Sequence, residues 1–212
     1  IPTIDSYGNA SGVIKNPVSR PYWIEHSGGD LIMNEQTANR IGVFHPSTET
    51  LVEYTIPSRN PNWSDCEGIE YCGVAQVFDF AVYGEKIWFT EWVENNIGVV
   101  DTSLPLPFSI DIDTNQTTLE KGQTAEITVK YTRTPSWTGK VIDASVNTST
   151  TSTFSDIIIK PESNNFSLSD DPTTILIEIT LSEHALSGTH KVLLGAYTDD
   201  IAVSQFITVT VM

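Results

Sequence analysis

"KIWFTEWVENNIGVVD", residues 86–101, decides how the first half of this chain folds, because an earlier stretch repeats it. Set "DLIMNEQTANRIGVFH", residues 30–45, beneath it, and Glu35 falls on Glu91, Asn39 on Asn95, and Ile41-Gly42-Val43 on Ile97-Gly98-Val99. The offset is 56 residues (35 to 91, 39 to 95). Self-similarity at a fixed period marks stacked structural repeats.

Within each copy, apolar positions recur every second residue in short Val, Ile, Thr and aromatic runs, broken by Gly, Asn and Asp. That pattern predicts strands over 22–26, 31–34, 41–44 and 51–56 in the first copy, and over 77–82, 87–90 and 97–100 in the second. Gly28-Gly29, Ala38-Asn39, Gly84-Glu85 and Glu94-Asn95 supply the turns, since Gly and Asn tolerate the positive φ of tight hairpins. Four antiparallel strands per repeat describe a propeller blade. The fold expected for residues 1–106 is two four-stranded propeller-type blades, a partial propeller.

The stretches "IWFTEWVENNIG", residues 87–98, and "NEQTANRIGVFHPSTETLVEYTIP", residues 34–57, resemble the blade motif of streptogramin (virginiamycin) B lyase-like propellers. In that family a W-F-T-E strand leads to N-x-I-G and then to a strand ending E-Y-x-I-P. The resemblance covers residues 17–103, two blades of a fold that closes with about seven. It implies a magnesium site with a glutamate on such a strand and catalytic histidines on neighbouring blade positions, which makes Glu35 and Glu91 the candidate catalytic residues. The four histidines are His26, His45, His184 and His190, and none lies on the strand before Glu91 or just after it. A general base must reach the proton it removes, and 77–80 offers only Asp79. Glu35 and Glu91 therefore read as residues that the blade architecture repeats, with no catalytic residue assigned.

Between the copies, "RNPNWSDCEGIEYCG", residues 59–73, is an insertion that carries both cysteines. Cys66 and Cys72 are expected to form a disulfide staple; the competing reading is a soft-metal site with Met33 or a histidine. Asp65, Glu67 and Glu70 are candidate Ca²⁺ ligands by their oxygen chemistry but lack the spacing of a calcium loop. No cofactor is expected, with Mg²⁺ or Ca²⁺ as the alternatives. Trp23, Trp63, Trp88 and Trp92 fall in this half, where aromatics fill cores between blades or, if exposed, form a platform for a sugar or partner.

The repeat stops near "TSLPLPFSIDID", residues 102–113, where Pro105 and Pro107 cannot donate to a sheet ladder. Seven candidate strands follow, over 108–113, 125–131, 141–146, 154–159, 174–180, 190–197 and 201–211. Their number and spacing predict an immunoglobulin-like or fibronectin-like β-sandwich for residues 107–212. "LEKGQTAEITVKYT", residues 119–132, and "LSGTHKVLLGAYTDD", residues 186–200, resemble Ig-like modules of archaeal and bacterial surface proteins.

The net charge of −16 is spread evenly, 14 acids against 5 bases in residues 1–106 and 13 against 6 in 107–212. An acidic surface without a basic stripe excludes nucleic acid, whose phosphates require Lys and Arg. Asn-x-Ser/Thr acceptors at Asn9, Asn62, Asn115, Asn147 and Asn165 point to an extracellular glycoprotein. The chain starts at Ile1, with "IPTIDSYGNAS" set like "IPSRNPNWS" at 56–64, so it is expected to be the C-terminal piece of a longer propeller protein. Membrane attachment would require a segment outside these 212 residues. The expected partners are further blades or another protein chain, and glycans. The expected role is binding or structure. The alternatives are a metal-dependent lyase-like enzyme with site residues on other blades, and a filament or surface-layer subunit that assembles by strand donation.

Overall fold

The computed structural model describes Ser19 and residues 21–36, 38–58, 74–92, 94–137, 139–150 and 156–212. Their regular structure is β-strand apart from one 3-10 turn, Pro135–Trp137. The strands form several largely antiparallel sheets, none closed into a barrel. The chain divides into two compact units, one of Ile1–Pro46 with Val52–Leu104 and the other of Ser47–Leu51 with Pro105–Met212.

In the first half of the chain, β1 (Pro21–Ser27), β2 (Asp30–Glu35), β3 (Arg40–His45) and β4 (Thr50–Thr55) lie side by side in chain order. A separate sheet holds β5 (Phe80–Tyr83), β6 (Lys86–Glu91) and β7 (Asn96–Asp101). The 56-residue repeat is reproduced in three dimensions, since the bounds of β2 and β3 recur in β6 and β7 at that offset (30 to 86, 40 to 96). Gly28 and Gly84 turn with φ of 61° and 60°, and Asn39 and Asn95 with 57° and 56°. The second copy begins later than its apolar run suggests: β5 starts at Phe80, after Gln76 has taken a positive φ of 53°. It also has no strand in the place of β4 among the described residues.

The two copies stack front to back. On β2 and β3, one face carries Ile32, Asn34, Ile41 and Val43, and the other Met33, Glu35, Arg40 and Gly42. Ile32, Ile41, Val43 and Ile56 of the first face share a core with Phe80, Ile87 and Phe89. Ile87 and Phe89 stand at positions equivalent to Leu31 and Met33, so the second copy contributes the opposite face. Its remaining face is left in solvent: Tyr83 is 82% exposed, Ile97 75%, Val99 47% and Trp88 44%.

The second unit packs two sheets around one core. The first runs β12 (Ile157–Pro161), β14 (Thr173–Leu181), β10 (Thr124–Arg133), β8 (Phe108–Ile112). In the second, β16 (Ile201–Val211), β15 (Gly188–Tyr197), β11 (Ile142–Thr150) and β13 (Asn165–Leu168) are neighbours, with β9 (Gln116–Leu119) parallel on β16. Alternate residues point inward, as in the Ile127, Val129, Tyr131 and Ile175, Ile177, Ile179 series, and they meet Val192, Leu194, Ile207 and Val209 of the facing sheet. Such alternation is how a strand with one wet face contributes to a core. The buried Tyr131 hydroxyl donates to the Gly195 carbonyl at 2.9 Å, and desolvation pushes its pKa up.

Sequence periodicity overlooks β9 and β13. They belong to a second internal repeat at an offset of 49 (108 to 157, 116 to 165), in which β8–β9 and β12–β13 have matching burial patterns. In each pair the chain leaves one sheet and joins the other: β8 pairs with β10 and β9 with β16, while β12 pairs with β14 and β13 with β11.

Candidate functional site

The residues singled out by the repeat lead to a buried charged cluster in the first unit. Glu35 ends β2 and pairs across the sheet with Arg40, the first residue of β3. Arg40 Nη1 donates to Glu53 Oε1 of β4 at 3.2 Å. All three are buried, with Glu35 at 0%, Glu53 at 1% and Arg40 at 8% exposure. Both Glu35 oxygens, Glu53 Oε2 and Arg40 Nε have no hydrogen-bond partner among the described residues. Two acids thus share one base away from water. Burial pushes the Glu35 carboxyl well above its ordinary range, the Glu53 carboxyl beside it adds to the shift, and Arg40 only partly opposes it. Glu35 therefore holds its proton to higher pH than an exposed glutamate does, beside the Arg40–Glu53 ion pair.

Glu91, its counterpart, is 5% exposed. Each glutamate lies over the glycine seven residues on: a Cβ built at Gly42 would stand 2.9 Å from Glu35 Oε1, and one at Gly98 2.9 Å from Glu91 Oε1. The Glu and Gly repeated at the 56-residue offset are therefore one packing device. A catalytic acid or base must meet its substrate, and neither carboxylate faces solvent.

The third repeated residue, Asn39, joins three segments. Its backbone carbonyl accepts from Ile56 N–H at 2.9 Å, and its Nδ2 donates to the Ile56 and Ser58 carbonyls at 2.8 and 2.9 Å. Its Oδ1 accepts from Ala75 N–H at 2.7 Å. Asn95 has the same backbone conformation but is exposed. Asn34 ties the same region from the side, accepting from Trp23 N–H at 2.6 Å and donating to the Val77 carbonyl at 2.6 Å.

Elsewhere the predicted site residues are scattered. His45 Nδ1 lies 2.6 Å from Asp30 Oδ1, at the ends of β2 and β3 remote from Glu35. His190 Nε2 bonds the Leu186 carbonyl in the second unit. Tyr22, Phe78 and Trp92 form an exposed edge-to-face group, with ring centroids 6.1 and 5.2 Å apart. Of the glycan acceptors, Asn115 and Asn165 are exposed, whereas Asn147 is 4% exposed and its Nδ2 donates to Ser204 Oγ at 3.0 Å. Asn165 borders an open cleft of about 390 Å³ lined by Asp143, Ser145, Phe166, Tyr197 and Asp199 among others. Asn9, Asn62, Asp65, Cys66, Glu67, Glu70 and Cys72 lie outside the described residues. Among those described, no group of three His, Cys, Asp or Glu is placed to hold a metal ion. Sequence reasoning missed Arg40 and Glu53 as partners of Glu35, although Glu53 is the acid of the "EYTIP" word.

No family profile and no curated protein matches the chain. Among solved structures it is similar to domains 4 and 5 of the S-layer protein SbsC, at 14% identity and TM-score 0.37 over 79% of this chain and 78% of that one. A family 123 glycoside hydrolase from Clostridium perfringens matches at 8% identity and TM-score 0.41, over 50% of this chain and 27% of the hydrolase. Escherichia coli alpha-2-macroglobulin matches at 14% identity and TM-score 0.36, over 59% of this chain and 11% of that protein. Likenesses this weak assign no activity, partner or location.

Proposed function

We propose that this chain is part of an extracellular or cell-surface glycoprotein with a binding or structural role, in which residues 1–106 are two propeller-type blades of the streptogramin B lyase-like kind and residues 107–212 an immunoglobulin-like module. The observation that supports this reading is the front-to-back stacking of the two copies. A front-to-back contact does not use itself up: the second copy offers the same kind of front face that the first has already buried, here lined by Tyr83, Trp88, Ile97 and Val99. Contiguous exposed apolar surface of this sort marks an interaction site. The natural occupant is a further blade of the same protein or a β-sheet of another chain. Burial of Glu35 and Glu91 favours this role over catalysis. Asn115 and Asn165 are the glycan acceptors best placed for modification, and Cys66 and Cys72 the disulfide.

The test is association. Sedimentation velocity of the chain should show concentration-dependent self-association that Ile97→Lys with Val99→Lys abolishes while the melting temperature stays within a few degrees. A wild-type chain that remains monomeric at high micromolar concentration, with the same behaviour in the double variant, would sink the proposal. The enzymatic alternative predicts magnesium-dependent opening of a cyclic depsipeptide that is lost in Glu91→Gln.

A further inference from the structure

The two copies differ in one element. On β3 the sheet continues into β4, whereas β7, its equivalent, is the last strand of its sheet among the described residues. What holds β4 at its end is Asn39, through the bonds to Ile56 and Ser58. At Asn95 the same left-handed turn recurs, with φ 56° against 57°, and its side chain is exposed and has no hydrogen-bond partner among the described residues. Past Asp101 the chain turns away: Thr102 N–H donates to the Glu85 carbonyl at 2.8 Å, and Asp101 Oδ1 accepts from Ser103.

We infer that the outer edge of β7 is an acceptor site for one extended segment of a partner chain, apolar in alternation, ending in Ile-Pro and bearing a basic residue at the position that Glu53 holds in β4. The inference rests on the blade reading and adds to it the chemistry of the missing strand. Strand addition to a free edge takes its affinity from main-chain bonds and its specificity from alternate side chains. The first copy supplies the template: its strand reads "TLVEYTIPS", residues 50–58, and closes on the asparagine of the preceding turn. The charge requirement comes from the second copy. Where Glu35 and Glu53 have Arg40 between them, Glu91 has Asn96 across the strand. A second acid beside the 5% exposed Glu91 would have no cation to balance it, while a lysine there would pair with Glu91.

The experiment uses the intact chain and two labelled synthetic peptides, TLVEYTIPS and the same peptide with Lys in place of the residue corresponding to Glu53. Fluorescence anisotropy and amide exchange are read together. The Lys peptide should bind at least tenfold more tightly than the Glu peptide and slow exchange of β7 amides (Asn96–Asp101) at least tenfold. Asn95→Gly, which keeps the left-handed turn without strain, should weaken binding while the melting temperature stays within a few degrees, and Glu91→Gln should erase the preference for Lys. Equal affinity for both peptides, or an unprotected β7 at millimolar Lys peptide while β6 remains protected, would overturn the inference. The outcome is separable from that of the blade proposal, because Ile97→Lys with Val99→Lys reports on the open face and the peptides report on the edge. Self-association through the face with no peptide bound at the edge refutes only this inference.

Discussion

Burial, with the Glu53 carboxyl beside it, raises the Glu35 pKa, so the folded chain holds this proton to higher pH than the unfolded chain does. Below the ordinary glutamate value of 4.5, both states are protonated and the burial carries no penalty from titration. As pH rises above that value the unfolded chain ionises Glu35 while the folded chain keeps it neutral, so stability falls until the folded pKa is passed. Glu35→Gln removes the titration and keeps the shape. Its melting temperature should be flatter from pH 4 to 8 and, at neutral pH, equal to or above the wild type, which a pH series of thermal melts checks. Arg40→Met, by contrast, leaves Glu53 as an uncompensated buried charge beside Glu35 and should cost about 3–5 kcal/mol. The glycine under each glutamate is graded in the same way. A Cβ at Gly98 would lie 2.2 Å from the Phe89 ring, against 2.9 Å from the end of Glu35 at Gly42. Gly98→Ala should therefore destabilise by about 1–3 kcal/mol, and Gly42→Ala by less, because a terminal carboxylate moves more easily than a packed ring. Denaturant midpoints of the two variants measure the difference.

At the scale of elements, equal turns do unequal work. Asn39 and Asn95 share sequence and dihedral, yet Asn39 secures β4 and the segment at Ala75, while Asn95 secures nothing among the described residues. Asn39→Ala loses three side-chain hydrogen bonds and strands the buried Ala75 N–H, so a loss of about 2–4 kcal/mol is expected. Asn95→Ala should cost only about 1 kcal/mol, since the left-handed turn alone is penalised. Equal effects in chemical denaturation would contradict the division of roles. The crossing pairs β8–β9 and β12–β13 make a related point, because four-residue strands such as Gln116–Leu119 contribute one buried Leu each to the core. A strand that short has too few alternations to register as periodic.

For the whole molecule, the two units differ in what surrounds their cores. The second has a core bounded by both its sheets and by the crossing strands, and the segment it takes from the first half is small. Lys191 Nζ meets Glu49 at 2.6 Å, with both side chains more than a third exposed, and a pair of that kind contributes about 0–1 kcal/mol. Residues 105–212 alone should unfold cooperatively, within a few degrees of the second transition of the full chain. Residues 1–104 alone should aggregate or show poorly protected amides, because the open face of Tyr83, Trp88, Ile97 and Val99 has no cover. Calorimetry and amide exchange on the two fragments decide between this and an independently stable first unit.

The sequence by itself determined the all-β class, the 56-residue repeat, the turns at Gly28, Asn39, Gly84 and Asn95 and most strand positions, because alternation and turn chemistry are local properties. It also marked Glu35, Glu91, Gly42 and Gly98 as repeated residues. Only the tertiary structure decided what they do. Glu35 and Gly42 touch because β2 and β3 pair in a register that no local pattern encodes, and the Glu35 carboxyl is pushed well above its ordinary range because folding buries it and sets Glu53, eighteen positions further on (35 to 53), beside it. A carboxylate's chemistry depends on its dielectric and its neighbours. Both are products of packing, and two identical words in one chain meet different surroundings.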